Sequence, residues 1–462
     1  MRRAPYAVLA VSLLIASPMA SIWPNIGNNT LSHEEDWYVQ PRTTSTIDVP
    51  NWRVNDNWVY DGYLDVADFV AGSGVSTNVE TLDGSLSRTV QDIFLSDIEG
   101  NETLVYEVVS VGEYESDGSI ELDGTDGCLY VDMDTTEIIR ASDLATFSQS
   151  ATIDAYFDPW CVEWLRQSIG VLTVENTYYP PLENYDFPIS LGESWQMDFQ
   201  QETQFSGTSN VVDIPEDTDD SNSTSWAVIS QGNSGVPFNG CSQSFNISSY
   251  DSDGDETGYN WYCPAVRGEV KSSMQQAFGF LAVHELVSYQ PVQRGKAVSI
   301  DVQYPLSPTD IEISAWINVT DQGQGVSGQE IQFRYESEHH FQNVTTDENG
   351  TYHIVFNSGT SPDDTNGQGE LGSHGLIAWI DDERILGART LLIDSEIHEI
   401  DLVTRSSSIG SGSSLTSLME FSSEISYSKM TRIWKSTSFK SSGLSVVTNQ
   451  RPSLNGGESP KP

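Results

Sequence analysis

The stretch Ile311-Glu-Ile-Ser-Ala-Trp-Ile-Asn-Val-Thr320 decides the fold class. Ile311, Ile313, Ala315, Ile317 and Val319 alternate with Glu312, Ser314, Asn318 and Thr320, and Trp316 is the one apolar exception. A period of two is what a strand shows when one face lies in a core and the other in water. The same alternation recurs at Ile331, Phe333 and Tyr335 against Gln332, Arg334 and Glu336. It returns at Tyr352, Ile354 and Phe356 after the turn Thr346-Asp-Glu-Asn-Gly350. Asn-Gly ahead of an alternating run is a hairpin signal. Several short strands at this spacing predict a β-sandwich over residues 298–402.

Upstream, β-branched and aromatic runs bounded by Gly, Asp and Asn continue to residue 49. They divide into a first block over 49–174 and a second over 175–297. The first opens with Val54-Asn-Asp-Asn-Trp58-Val-Tyr60, which Leu191-Gly-Glu-Ser-Trp195-Gln-Met echoes in the second. The echo suggests a tandem repeat, and a single large antiparallel sheet across both blocks is the alternative. Asp158-Pro-Trp-Cys-Val-Glu-Trp-Leu-Arg-Gln167 between them is the best candidate for a short helix. The expected fold class is therefore all-β: a large antiparallel sheet or half-barrel, then a sandwich.

The ends differ from this body. Arg2-Arg3, the apolar run Ala7–Ala16 and the small residues Ser17, Ala20 and Ser21 have the order of a secretory signal peptide over 1–20. Pro18 fits the cleavage site poorly, so an uncleaved anchor is the alternative. No other apolar stretch is long enough to span a bilayer. Residues 21–48 read as a polar spacer. The Ser-rich tail over 403–462 reads as disordered. Residues 1–404 carry 64 acids and 14 bases, whereas 405–462 carry three acids and seven bases. So abrupt a change also fits a truncated or frame-shifted end.

The net charge of −46 repels phosphate, which excludes nucleic acid and disfavours anionic lipid as partners. With 12 Trp and 19 Tyr the chain has ample material for packed cores. Cys128, Cys161, Cys241 and Cys263 form an even set without a Cys-x-x-Cys pair, which in an exported chain reads as two disulfides. Three pairings exist, and Cys128–Cys161 with Cys241–Cys263 is favoured. Asn28, Asn101, Asn222, Asn246, Asn318, Asn343 and Asn349 each begin a glycosylation sequon.

Residues 298–402 resemble the bacterial immunoglobulin-like and carboxypeptidase-regulatory-like sandwiches of surface proteins. The similarity rests on Gly325-Val-Ser-Gly-Gln-Glu-Ile-Gln-Phe333 and Thr345-Thr-Asp-Glu-Asn-Gly-Thr-Tyr352. It implies a spacer, stalk or adhesive module and transfers no catalytic residue. Residues 49–295 are more faintly similar to lipoprotein-carrier half-barrels. That similarity rests on Asn55-Asp-Asn-Trp58-Val-Tyr60, Gly192-Glu-Ser-Trp195 and Trp261-Tyr-Cys-Pro-Ala-Val-Arg-Gly-Glu-Val-Lys271. Arg267 is an insertion relative to that pattern, and no lipid-attachment cysteine follows the signal peptide. The acidic tandem organisation also looks like that of surface proteins of marine archaea.

Chemistry-bearing motifs are scarce. There is no Gly-x-Ser-x-Gly elbow, no phosphate loop and no dinucleotide fingerprint, and His284-Glu285 fails the His-Glu-x-x-His pattern. His339 and His340 are adjacent on a strand and point to opposite faces. Asp251, Asp253 and Asp255 around Gly254 could wrap oxygens about calcium, but the spacing departs from an EF-hand, and a solvated loop is the plainer reading. Asp123-Gly-Thr-Asp126 is a weaker version, and Glu216–Asp220 reads as a loop. No other cofactor is expected. Trp58, Trp195 and Trp261 could line a concave sheet and hold an apolar ligand, or could simply fill its core. The expectation is a secreted or cell-surface, non-catalytic interaction protein whose partner is an extracellular protein, glycan or apolar ligand. A carrier within 49–295 is the alternative, and a hydrolase with an unmarked carboxylate pair comes third.

Overall fold

The computed structural model describes residues 47–393 apart from 74, 99, 211–213, 276–279, 294, 304, 308–310 and 358–371, and adds 432–433. The signal segment, nearly all of the spacer and tail, and Asn28 lie outside the described residues. No helix among them is long and apolar enough to cross a membrane.

The chain folds as strands in sequence order. These are β1 (Asn57–Asp65), β2 (Thr81–Ile98), β3 (Asn101–Ser116), the short β4 (Ile120–Leu122), β5 (Thr125–Arg140), β6 (Thr146–Pro159) and β7 (Gln167–Leu182). Then follow β8 (Ser194–Ser209), β9 (Thr218–Gly232), β10 (Ser244–Tyr250), β11 (Glu256–Cys263), β12 (Gly268–Gln275) and β13 (Leu281–Gln290). Apart from β4, which pairs only with β5, each of these strands pairs antiparallel with the one before and the one after it. β8 pairs with β9 over ten residues, and β13 returns to pair with β1 from Leu281↔Asp65 to Gln290↔Asn57. The expected large antiparallel sheet is present, and it closes on itself as an up-and-down barrel of 12 strands. Closure removes the free edges that an open sheet would expose.

The two halves of the barrel begin alike. Asn55 and Gly192 both take a left-handed backbone, φ 75° and 84°. The Asp56 amide donates to Arg53 O and its carboxylate accepts from the Arg53 amide; Glu193 does the same with Ser190. The Asn55 amide donates to Val90 O and the Val90 amide to Asp56 O; in the same way the Gly192 amide donates to Val228 O and the Val228 amide to Glu193 O. Trp58 and Trp195 follow at equivalent places in β1 and β8, both buried. The repeat read from the sequence therefore corresponds to two halves of six strands in one barrel, not to two separate sheets.

The expected helix over 158–167 is a single 3-10 turn at Glu163–Leu165. Cys161 is tied to Cys128 and Arg166 to Asp158, which holds this stretch as a tight hairpin tip. A seven-residue helix, α1 (Ala67–Ser73), sits between β1 and β2 and was not anticipated.

The second unit is a two-sheet sandwich. One sheet joins β14 (Lys296–Val302), β16 (Glu312–Asp321), β17 (Gln324–Gly325) and β20 (Thr351–Asn357). The other orders β15 (Leu306–Ser307), β22 (Ile385–Ile393), β21 (Gly372–Ile380), β18 (Glu330–Tyr335) and β19 (His339–Thr345). Ile313, Ala315, Ile317 and Val319 are fully buried between the sheets, as their alternation predicts, while Trp316 stands outside against His353.

The sandwich caps one end of the barrel. Leu376, Ala378 and Ile380 of β21 enter the sandwich core, whereas Ile377 and Trp379 enter the barrel core beside Leu386 and Ala388. Arg334, expected on a wet face, is 1% exposed and donates to Ser337 O and Glu102 O. At the same junction Arg140 meets Asp143, Glu183 and Glu338. Burial and the neighbouring Asp143 outweigh Arg140 there and push the Glu183 carboxyl up to about 8.

Candidate ligand-binding lumen

Residues directly opposite one another in paired strands share a face. One such row runs Leu86, Gly112, Met133, Ile153, Leu172 around the wall. The next runs Arg88, Ser110, Thr135, Ala151, Val174, Phe205. A third runs Val90, Val108, Glu137, Gln149, Asn176, Thr203. Val90, Val108 and Val174 are almost fully buried, so all three rows face inward.

Inward position does not mean full burial at this height. Twelve strands about 4.8 Å apart and tilted by about 40° close on a diameter of about 24 Å, well beyond the eight-stranded size that side chains fill. Arg88 and Glu137 accordingly keep 21% and 18% of their side-chain surface accessible. Leu86, Met133, Ala151 and Ile153 are likewise only half-buried. The barrel therefore holds an accessible lumen at mid-height. On one side it is bounded by an apolar plug of Trp52, Trp58, Tyr185, Phe187, Trp195 and Trp226 beneath the sandwich. On the other it is bounded by Leu64, Val66, Leu82, Tyr114 and Phe280 near α1.

The lumen is mixed in character. Arg88 Nη2 donates to Glu137 Oε2 at 2.9 Å across the small Ser110, and its guanidinium lies 5.8 Å from the Trp52 ring centre. Burial works against the Arg88 charge, but Glu137 and Glu269 outweigh it and raise its pKa. Tyr185 Oη donates to Glu269 Oε1 at 2.6 Å, and Tyr60 Oη donates to the Glu269 carbonyl. Burial raises both phenols. Opposite, Asn176 Oδ1 accepts from Thr203 and Gln201, and Asn222 donates to Gln201. One cation with two carboxylates, ringed by hydroxyls and amides above an apolar wall, suits an uncharged or zwitterionic polar group carrying an apolar body.

Tyr114 and His284 close the wall where glycines make room. A Cβ on Gly84 or Gly112 would strike the Tyr114 ring at 2.5 and 2.8 Å. A Cβ on Gly62 would fall 2.9 Å from the His284 ring. Tyr114 Oη and His284 Nε2 are hydrogen-bonded at 2.7 Å. Burial pulls His284 down to about 4, so the ring is neutral at ordinary pH.

The sequence-derived residues are distributed as follows. Trp58 stacks on Tyr289 and donates to Val266 O, and Trp195 stacks on Trp226 and donates to Glu183 O. Both are packed in the plug rather than lining free space. Trp261 is half-buried and packs against the same apolar cluster that holds Trp58 and Trp195. Both favoured disulfides are present, Cys128–Cys161 and Cys241–Cys263. Asp251 Oδ1 accepts from the Asp253 and Asp255 amides, closing a tight turn between β10 and β11. Among the described residues no three His, Cys, Asp or Glu side chains converge to hold a metal ion. Asn343 and Asn349 are exposed. Asn101, Asn246 and Asn318 are half-buried, and Asn222 points into the lumen. His340 bonds Asn343.

Sequence reasoning missed Arg88, Glu137, Glu269 and His284. Each sits inside an otherwise ordinary alternating run, and only a polar residue at an inward position could have marked it. The fold and site together define a closed twelve-stranded barrel with an internal, amphipathic lumen, capped by a β-sandwich. No protein-family model matches the chain, and no curated protein matches it in sequence.

Proposed function

We propose that this is an exported, non-catalytic binding protein that takes a small amphipathic molecule into the barrel lumen, with the sandwich as its cap and presenting module. The observation that carries this reading is the accessible surface of Arg88 and Glu137 inside a closed barrel. A barrel built only for support would fill that volume with side chains, as the two apolar ends do. Two disulfides and the signal-like start of the sequence support work in an oxidising compartment. The lumen's charge balance favours a neutral or zwitterionic headgroup over a free anion.

The test uses full-length protein exported to an oxidising compartment, with the neutral probe N-phenyl-1-naphthylamine. Saturable fluorescence enhancement is expected. Ala151→Trp, which places an indole in the lumen, is expected to abolish it with the circular dichroism spectrum unchanged. Equal enhancement by both proteins would remove the lumen from consideration.

A further inference from the structure

We propose that the tip of the β6–β7 hairpin is a second binding site, a platform for neutral glycans whose stacking surfaces are Trp160 and Trp164. The two indoles are 68% and 82% exposed, the two most exposed large hydrophobic side chains among the described residues. Singly exposed apolar residues are ordinary; two tryptophans on one rigid tip are not.

The tip is built to hold them outward. Trp160 and Cys161 are consecutive residues with positive φ, 55° and 54°. A bulky side chain in the left-handed region is disfavoured and persists only where its surroundings over-determine it. Here they do. Cys161 is cross-linked to Cys128 of β5. The Trp160 amide donates to Asp126 O at 2.7 Å, and the Leu165 and Arg166 amides close the 3-10 turn. Arg166 grips Asp158, itself 1% exposed, through two bonds of 2.9 and 3.1 Å. Its guanidinium also lies 4.6 Å from the Tyr130 ring centre. Strain of this kind, held by a disulfide and by an ion pair whose carboxylate is buried, serves no packing purpose for rings that end in water.

Charge selects the partner. Arg166 is taken up by Asp158, while Glu163, Asp123 and Asp126 stand exposed around the tip. Phosphorylated, sulfated or uronic ligands and anionic lipid are repelled, in line with the net charge of −46. A neutral sugar offers what remains: an apolar C–H face for a planar indole, and hydroxyls for the Glu163 carboxylate and the exposed Gln167 amide. Rigid indoles make such contact at little entropic cost.

The experiment is affinity electrophoresis of the full-length, disulfide-bonded protein through gels containing galactomannan, glucomannan, laminarin or hydroxyethyl cellulose. It is run beside Trp160→Ala, Trp164→Ala and the double variant. Retardation in at least one gel is expected, weakened about tenfold or more by each single change and lost in the double variant. The melting temperature of Trp164→Ala should stay that of the parent, since its side chain touches little. Free migration in all four gels would overturn the proposal, as would retardation that the double variant retains. Binding to phosphatidylcholine vesicles that these substitutions abolish would overturn it in favour of a bilayer anchor. Because the lumen lies elsewhere, probe binding inside the barrel is unaffected by either result.

Discussion

Arg334 sits where strand alternation assigns water, yet it is buried and satisfies carbonyls on both the sandwich and the barrel. Arg334→Ala removes both bonds at the junction, leaving Ser337 O only the Leu104 amide, and is expected to cost about 2–4 kcal/mol, read from urea unfolding midpoints. A change below 0.5 kcal/mol would mean the contact is incidental. His284 makes a prediction of a different kind. Its folded pKa lies near 4, below the ordinary value of 6.5, because burial disfavours the charged ring. Between those values the unfolded chain binds more protons than the folded one, so stability falls as pH drops from about 6.5 toward 4. The loss is at most about 3 kcal/mol. His284→Gln should flatten this part of the pH profile relative to the parent, and parallel profiles would show that His284 does not titrate on unfolding. Neither role was legible. A histidine between alternating residues of β13 is silent about Tyr114, which lies 170 residues away in the sequence.

At the scale of the element, β16 and β21 mark the two extremes. β16 has one wet face, so its alternation in sequence matched its burial residue by residue. β21 is buried on both faces from His374 to Ile380, and its sequence Leu-Ile-Ala-Trp-Ile carries no period to read. Trp379→Ala should therefore cost about 3–5 kcal/mol in thermal or urea unfolding, while the exposed Trp316→Thr should cost less than about 0.5 kcal/mol. Equal costs would contradict the assignment of Trp379 to the barrel core. The repeated turn before β1 and β8 was legible for a local reason. A left-handed residue, an acidic side chain that caps its own turn, and an inward Trp are all determined within a few residues. The helix expected at 158–167 failed for the opposite reason: a bond to Cys128, 33 residues distant, overrides local propensity.

At the scale of the whole molecule, barrel and sandwich share a core. Ile377, Trp379, Leu386 and Ala388 pack with Trp52, Tyr106 and Phe187, and the side-chain Oδ1 atoms of Asp48 and Asn51 accept the Thr390 and Ala388 amides of β22. Scanning calorimetry of the full chain should therefore give one unfolding transition rather than two. A resolved low-temperature step with the barrel still folded would show the units to be independent. The sequence by itself determined the strand content, the sandwich's alternating strands, the two-fold echo of the barrel and the acidic surface. These follow from period, turn chemistry and charge, which are local or additive. It also supplied the favoured disulfide pairing, since neighbouring cysteines in a meander meet across adjacent strands. Tertiary structure alone decided that the sheet closes, that the Trp58 and Trp195 side chains fill a plug instead of lining a site, and that Arg88 and Glu137 face one lumen. Each of these depends on which strands end up paired after a full turn of the barrel, and register around a closed ring is a sum over twelve pairings that no single stretch of sequence contains.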